Sequence, residues 1–359
     1  MKRIKSLDGI RAMCIIAVFF THALDTIPIP VVHDKMLAFF ITNAGHLGVK
    51  IFFVISGFLI TKLLLLEREK NGKIDIKDFY IRRMMRILPV FFLYILVILI
   101  LKWTLIPDIF SSYSLVLFAV CYIWDYKHMF TSMSMADHGH WFFGHFWTLS
   151  IEEQFYLFWP LIFTRLSQKS VIRFIIGAAV VIPILRLATF LFIPQSKMYA
   201  DMMLHTSGDN LLIGCLGAII ERSAYFKNTL LKYIQNRPLG IANFCLLFLV
   251  SPFLSYRFEA PYNLLIGYSL NTFSIMFFLY WTIYVPSWFS SILNTRVFIW
   301  IGVLSYSLYV WQQLFLTNIN KLWVNQFPQN IIISVLVASA SYYLIEKPVL
   351  RLKKKFSKV

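Results

Sequence analysis

Long apolar runs separated by short polar segments fill the chain from one end to the other. A transmembrane helix needs roughly 20 predominantly apolar residues, within a working range of about 17–25. Because residues 113–125 are too short to cross a bilayer, the pattern predicts an all-α polytopic membrane protein with about ten transmembrane helices plus one short re-entrant or interfacial segment. The apolar segments lie at residues 8–28, 46–66, 88–106, 113–125, 151–166, 171–193, 205–221, 239–254, 264–285, 303–321 and 330–348.

The positions of the basic residues predict how the chain is oriented. Cytoplasmic loops of membrane proteins carry an excess of Lys and Arg. Residues 67–86, 165–173, 222–237 and 347–358 hold most of the 34 Lys and Arg residues. These four groups fall on one side of the bilayer only if 113–125 does not cross it. We therefore expect a multi-pass protein of the cell (inner or plasma) membrane with both termini in the cytoplasm.

Composition agrees with a membrane protein and excludes several soluble classes. Hydrophobic residues make up 59% of the 359 residues and charged residues 14%, whereas soluble domains average about half apolar and a quarter charged. The net charge of +17 does not predict nucleic-acid binding, because the basic residues lie in short loops rather than on one soluble face. The four cysteines show no metal-ligand spacing. We expect a single integral membrane domain over residues 1–359, with no appended soluble domain and no metal.

Ionisable residues in the first predicted span carry the strongest functional signal. A charged side chain at mid-bilayer costs at least roughly 2.5–3.5 kcal/mol, so each needs a partner or a function. Asp8 and Arg11 interrupt the apolar stretch, which argues against a cleavable signal peptide, and their spacing allows them to pair. His22 lies eleven residues beyond Arg11, roughly 16 Å deeper and on the same helix face. Asp25 follows at i+3 and could orient the His22 ring.

Histidine is suited to acyl transfer because it takes and returns a proton near ambient pH. We therefore single out His22 as a candidate catalytic residue, with Arg11 at the mouth of the same helix face as a candidate contact for a long anionic substrate. The alternative is a buried histidine that is hydrogen-bonded to another helix.

A second group of arginines begins the third predicted span. Arg83 and Arg86 lie one helical turn apart, followed by Ile87-Leu88-Pro89. Guanidinium groups bind phosphate bidentately, so such a pair could hold the diphosphate of a nucleotide such as coenzyme A. Ordinary anchoring of the helix by cytoplasmic basic residues is the competing explanation.

Further polar residues lie where the pattern predicts apolar helix. Glu152, at the outward start of the fifth span, could orient a histidine or polarise an acceptor hydroxyl, or could simply favour the helix N-terminus. Arg186 and Asp209 are predicted to face a cavity or to be paired. Ser56 lies among glycines that suit close helix packing, where structural and site roles are both open.

Six short motifs, in order, resemble the acyltransferase-3 family of integral membrane O-acyltransferases. Each motif alone is weak, but the series covers about residues 6 to 350. The motifs are Arg11 with His22 ten intervening residues later, Gly48-Val49-Lys50-Ile51-Phe52-Phe53-Val54-Ile55-Ser56-Gly57-Phe58, Arg83-x-x-Arg86, the block from Trp147 to Tyr156, Ser305-Tyr306-Ser307-Leu308-Tyr309-Val310-Trp311, and Tyr343-Leu344-Ile345-Glu346-Lys347-Pro348.

The resemblance implies ten spans, an acyl-CoA donor (acetyl-CoA by family preference over succinyl-CoA) and a hydroxyl acceptor, commonly on a cell-surface or exported glycan. It implies that His22 is catalytic and that Arg11, Arg83 and Arg86 serve the donor. We add Ser56 and Tyr306, which lie in two of the motifs, as candidate substrate-binding or cavity residues. Two positions depart from the family pattern. Lys50 stands where an acidic residue is usual, and Gln312 stands where many relatives carry a histidine.

The residues and the resemblance together predict a membrane O-acyltransferase that moves an acyl group from cytoplasmic acyl-CoA to an extracytoplasmic or lipid-linked glycan. Direct attack on the thioester and a transient acyl-enzyme both stay open, as does the identity of the acceptor. The alternative is a transporter or flippase for a glycolipid or small solute, in which His22, Arg186 and Asp209 would line a passage.

Overall fold

The structure is a computed structural model that describes residues 4–27, 34–130, 137–320 and 322–352. Within these ranges the chain forms helices and turns and no β-strand, as the apolar pattern predicts. The helices are α1 (Lys5–Ala23), α2 (Lys35–Asn71), α3 (Ile76–Thr104), α4 (Ser114–Val120), α5 (Lys127–Phe130), α6 (Gly139–Phe142), α7 (Phe146–Arg165), α8 (Gln168–Phe192), α9 (Leu204–Ile220), α10 (Leu231–Gln235), α11 (Arg237–Cys245), α12 (Ser251–Tyr262), α13 (Tyr268–Tyr284), α14 (Trp288–Leu293), α15 (Arg296–Phe315), α16 (Gln329–Ser341) and α17 (Lys347–Leu352).

Eight helical stretches in the described part of the chain are long and apolar enough to cross a membrane. One of them, Arg237–Tyr284, has 48 residues, and at 1.5 Å per residue it would be about twice as long as a bilayer core is thick. The backbone leaves helical geometry inside it, at Glu259 (φ 46°, ψ −128°). The Asn243 amide then donates to the carbonyl of Ser274 at 3.1 Å, so the stretch folds back into two limbs.

The 20-residue helix α7 accounts for the remaining predicted span. Counted with the two limbs, the helices agree with the prediction of about ten spans, and the protein is a multi-pass, all-α membrane protein. The apolar segment at 113–125 forms only the seven-residue helix α4, which at 1.5 Å per residue is too short to cross a bilayer. The orientation of the bundle stays a prediction, and residues 1–3 and 353–359 of the two termini lie outside the described residues.

Glycines bring the central helices into direct backbone contact. A side chain at Gly57 in α2 would collide with the carbonyl of Leu211 in α9, and one at Gly214 in α9 would collide with the carbonyl of Val54 in α2. Small residues permit this close approach in membranes, where helices have no hydrophobic driving force to associate. The glycines of the second span therefore have a packing role. Helix α1 is held in the same way against α15, where Gly302 meets the carbonyl of Asp8.

A tight turn between α2 and α3 places the basic residues of α3. Gly72 adopts a left-handed conformation (φ 72°) just after α2 ends, which favours glycine over residues with a Cβ. Asp75 then caps α3 by accepting the backbone N–H of Asp78 at 3.0 Å. Glu67 fixes the turn, because its carboxylate accepts from the backbone of Asp75 at 3.0 Å and pairs with Arg82 at 2.8 Å.

Candidate active site

A cavity of about 330 Å³ opens inside the bundle, between α1, α2, α3, α7 and α15. We call it the arginine cavity because four guanidinium groups line it. Its polar or charged lining residues, with the valine that closes one end, are Arg11, Val49, Ser56, Glu67, Arg82, Arg83, Arg86, Thr148, Glu152, Tyr156, Ser305, Tyr306 and Tyr309. Five residues that the sequence predicts for a donor or cavity site thus lie together with Glu152, although they come from distant parts of the chain. They are Arg11, Ser56, Arg83, Arg86 and Tyr306.

Three of the four arginines in this cavity are not neutralised by direct ion pairs, whereas Arg82 is paired with Glu67. Within the part of the chain that the structure describes, Arg11, Arg83 and Arg86 form no ion pair shorter than 4.0 Å. Glu152 interacts electrostatically with all three, but the hydrogen bond on its carboxylate comes from Ser56 Oγ, at 2.6 Å. Four guanidinium groups and two carboxylates, those of Glu67 and Glu152, line the cavity, so its lining carries a net positive charge, which suits a phosphate-bearing ligand.

Aromatic side chains hold Arg83 of α3 in place. The Arg83 guanidinium lies 4.6 Å from the centroid of the Tyr156 ring and 5.9 Å from that of Phe79, within the range of cation–π attraction. Tyr306, one helical turn from Tyr309, donates its hydroxyl to the carbonyl of Ile87 at 2.7 Å. Arg83 is therefore fixed by ring contacts that leave its N–H donors available.

A second cavity, of about 190 Å³, adjoins the first. Val49 and Tyr309 line both cavities, so they mark the boundary between them. We call the second one the histidine cavity because three imidazoles line it. Its lining is formed by Val18, Thr21, His22, Gly45, His46, Val49, Gly144, His145, Trp147, Tyr309 and Gln313.

His22, the predicted catalytic residue, lies in the histidine cavity and not among the arginines. Its ring packs edge-on against Trp141, with 5.7 Å between the ring centroids. The side chain of Gln312 lies beside the ring, whereas His22 Nδ1 has no hydrogen-bond partner among the described residues. The imidazole is thus half-buried in the bundle, with a buried Nδ1 that makes no hydrogen bond to the described residues.

The prediction that Asp25 orients His22 does not match this geometry. Helix α1 ends at Ala23, and Asp25 follows in a 3₁₀ turn that carries its side chain to an exposed position. The i+3 relation assumed a helix that continues to residue 25. Glu152 also makes no hydrogen bond to His22, because it lies in the arginine cavity with Ser56.

Arg186 and Asp209 are paired with each other and do not line either cavity. Arg186 is 1% exposed and Asp209 3% exposed, and Arg186 Nη2 lies 2.6 Å from Asp209 Oδ2. Of the two alternatives that the sequence offers for them, a cavity or a mutual pair, the structure shows the pair. Lys50, which departs from the family pattern, is likewise paired, with its Nζ 3.1 Å from Asp201 Oδ2.

Sequence reasoning did not single out His46, His145 or Gln313. The signal was present, because an ionisable residue inside or beside an apolar run needs a partner or a function, as was argued for His22. What the sequence does not show is that α1, α2 and the start of α7 bring the three histidines to one cavity. The described residues contain no group of three or more His, Cys, Asp or Glu side chains that could hold a metal ion.

The fold and its two adjoining cavities define a polytopic membrane protein with an internal chamber that is cationic at one end and lined by histidines at the other. A family model described as an acyltransferase domain, the acyltransferase-3 model, matches residues 4–346. The chain belongs to the acyltransferase-3 family.

Curated relatives carry acetyltransferase names. The chain is 30% identical over 368 residues to O-acetyltransferase OatA of Staphylococcus aureus (strain NCTC 8325 / PS 47), an alignment that covers 96% of this chain and 56% of the relative. It is 29% identical over 372 residues to a putative O-acetyltransferase of S. aureus (strain COL), covering 97% of this chain and 57% of that protein. The chain thus spans little more than half the length of these relatives. No solved structure matches the chain significantly.

Proposed function

We propose that this protein is a membrane O-acyltransferase that transfers an acyl group, acetyl in the first instance, from cytoplasmic acyl-CoA to a hydroxyl of an extracytoplasmic or lipid-linked glycan. One observation carries the proposal. A cavity with three guanidinium groups free of direct ion pairs, among the described residues, adjoins a cavity that holds His22. Such a chamber offers an anion site at one end and a proton-transfer group at the other.

The dimensions suit a coenzyme A thioester. Its pantetheine arm has about as many backbone atoms as four peptide residues and so extends about 14 Å. His22 lies eleven residues beyond Arg11 on α1, a rise of roughly 16 Å. At about 330 Å³ the arginine cavity is near the lower end of small-molecule sites. It would therefore take the arm and the diphosphate and leave the nucleoside at the mouth.

Charge supports entry of the donor from the cytoplasm. Arg83 and Arg86 lie at the end of the basic segment 67–86, which the positive-inside rule assigns to the cytoplasmic side. His22 is farther along α1 and faces the other cavity, which would receive the acceptor from the opposite side. The thioester and the hydroxyl would then meet near Val49 and Tyr309, the residues common to both cavities.

Two chemical routes are compatible with this arrangement. In direct transfer, His22 accepts the proton of the acceptor hydroxyl, the oxygen bonds to the acyl carbon, and the C–S bond breaks. In the stepwise route, a His22 nitrogen first takes the acyl group from sulfur and then yields it to the acceptor oxygen. In both routes coenzyme A leaves as a thiolate that takes up the proton, so the imidazole is regenerated.

The relatives' names support acetyl as the transferred group, because the aligned proteins are called O-acetyltransferases over a region that covers 96% of this chain. The transporter alternative keeps His22 but loses two of the three residues on which it relied. Arg186 and Asp209 are held in a buried ion pair rather than exposed along a passage.

The proposal is tested with the purified full chain in proteoliposomes and labelled acetyl-CoA. We expect saturable release of coenzyme A that falls by at least about 100-fold in His22→Ala, the size expected for loss of general acid–base catalysis. His140→Ala is the matched control, since His140 lies outside both cavities and contacts Lys127. Turnover of His22→Ala near that of the unmodified protein contradicts the proposal. Comparing surface glycans of cells with and without the protein, by the mass of an added acetyl or succinyl group, identifies the acyl group and the acceptor.

A further inference from the structure

His145 is a buried histidine of the histidine cavity that the chemistry proposed above does not use. It precedes the first residue of α7, is 2% exposed, and lines the cavity together with His22. Its ring is packed among those of Tyr94, Phe146 and Tyr309, with centroid separations of 5.4, 4.1 and 5.5 Å. Its Nε2 makes no hydrogen bond to any described residue, although the Val310 carbonyl is near the ring.

The hydrogen bonds of Gln313 determine which nitrogen of His145 carries the proton. The backbone N–H of His145 and its Nδ1 approach the same side-chain atom of Gln313, at 3.3 and 2.6 Å respectively. A backbone N–H can only donate, so that atom must be the amide oxygen, Oε1, and not the amide nitrogen. The oxygen in turn can only accept, so Nδ1 must be the donor. In the neutral ring the proton is therefore on Nδ1, and Nε2 is a lone-pair acceptor.

A buried nitrogen lone pair without a partner is costly unless a ligand supplies the missing hydrogen. In the histidine cavity, that ligand would be a hydroxyl group. Gln312, which lies beside His22, cannot serve as a base, because an amide does not titrate. The chain departs from the family pattern at Gln312, and His145, near His22, supplies a second imidazole from another helix.

We propose that His145 is a second catalytic residue of this site, whose Nε2 binds the acceptor hydroxyl and takes its proton while His22 acts at the thioester. This inference rests on the proposed function, and in direct transfer it assigns removal of the acceptor proton to His145 instead of His22. The acceptor O–H bond breaks, its proton moves to His145 Nε2, and the oxygen bonds to the acyl carbon as the bond from that carbon to sulfur, or to His22, breaks. The proton then passes to the coenzyme A thiolate, which restores the neutral ring. Gln313 is a positioning residue, because its Oε1 accepts from Nδ1–H and so keeps the ring proton on Nδ1 and off Nε2.

The first test compares donor binding with acyl transfer in His145→Gln. Binding is measured with labelled acetyl-CoA, and transfer as acetate formed with water as acceptor and as base-labile acetate on the surface glycans of cells that produce the full chain. We expect donor binding within about twofold of the unmodified protein and transfer reduced by about 10²–10⁴-fold. His140→Gln is the control, because His140 lies outside both cavities, and it should leave donor binding and transfer unchanged. Transfer by His145→Gln within threefold of the unmodified protein overturns the inference.

The second test separates proton transfer from a structural role. Gln313→Glu keeps the side-chain shape but places a carboxylate at Nδ1–H, which favours the protonated ring as in a carboxylate–histidine pair. The groups that face the ring are His22 from α1, Tyr94 from α3 and Tyr309 from α15. We expect the acid limb of the transfer rate to move to higher pH in Gln313→Glu. An unchanged pH profile in a folded, donor-binding protein counts against His145 as the base.

Failure of the inference is distinguishable from failure of the proposed function. If His22→Ala loses turnover and His145→Gln keeps it, only the role of His145 is wrong. If neither substitution lowers turnover, the roles of both histidines are wrong, and if the protein releases no coenzyme A at all, the acyltransferase proposal itself is wrong. If His145→Gln fails to fold, the pH profile of Gln313→Glu decides the question.

Discussion

Replacing Arg83 tests whether the arginine cavity binds the donor phosphates. The guanidinium is positioned by the Tyr156 ring at 4.6 Å and has no ion pair shorter than 4.0 Å within the described residues. Its hydrogen bonds to a diphosphate would be charge-assisted and worth about 1.5–3 kcal/mol. A loss of that size corresponds to a factor of about 10–150 in affinity.

We therefore expect Arg83→Ala to raise the KM for acetyl-CoA by about 10–150-fold and to leave kcat within about threefold. The phosphates do not react, so their contacts should be equally strong in the ground state and the transition state, and losing them should change KM rather than kcat. Arg83→Lys should give an intermediate KM, because lysine keeps the charge but lacks the planar fork. The KM of Arg83→Ala should also rise less steeply with ionic strength.

The assay measures initial rates of coenzyme A release in proteoliposomes, with acetyl-CoA and with S-acetylpantetheine, which lacks the phosphates. The unmodified protein and Arg83→Ala should use S-acetylpantetheine equally well. Arg165→Ala serves as the control, because Arg165 is an exposed arginine at the end of α7 that does not line the cavity. The reasoning is refuted if KM for acetyl-CoA stays within twofold in a folded Arg83→Ala, or if KM is unchanged and kcat falls.

Three other substitutions test the rest of the structure. Asp209→Leu leaves Arg186 buried without its carboxylate partner, so the free energy of unfolding in detergent should fall by about 3–5 kcal/mol. Adding Arg186→Met should restore most of that loss, because no buried charge is then left unpaired. A double variant as unstable as Asp209→Leu refutes this account. Asp25→Ala should keep its acyl-transfer rate within twofold, because Asp25 is exposed and the described structure shows no hydrogen bond from it to His22. A fall in rate as large as that of His22→Ala contradicts this geometry. Asp125 lies outside the spans, and burial, which outweighs its hydrogen bonds from Gln154 and the Leu204 backbone, raises its pKa to about 7 from an ordinary 3.8. Because the folded pKa is the higher one, this group's contribution to stability is present below about pH 4 and is lost as the pH rises to about 7. Thermal unfolding of Asp125→Asn should show a weaker decline over that window, and an identical decline would exclude Asp125 as its source.

The sequence alone determined the class of fold. Apolar runs of bilayer length can satisfy their backbone hydrogen bonds in lipid only as helices, so the pattern predicts helices wherever it is long enough. The same rule identified 113–125 as too short, and the structure has only a seven-residue helix there. Intramembrane charge then singled out Arg11 and His22, whose spacing along one helix fixes their separation without any knowledge of neighbours.

Only the tertiary structure decided which of these residues meet. Arg11, Arg83 and Glu152 come from three helices, and their convergence on one cavity depends on packing between helices, in which glycine contacts such as Gly57 against the carbonyl of Leu211 take part. In the sequence, Arg186 and Asp209 matched the pattern of cavity residues as Arg11 did. In the packed bundle, their side chains on α8 and α9 face each other and form an ion pair.

The end of α1 shows the same limit at a single residue. The change from α to 3₁₀ geometry after Ala23 carries Asp25 away from His22, and only the packed bundle brings His145 and Gln313 to the cavity that His22 lines. Local periodicity reports what one helix presents on each face. Which face meets which neighbour depends on contacts between residues far apart in the chain, and that information is not contained in any single segment.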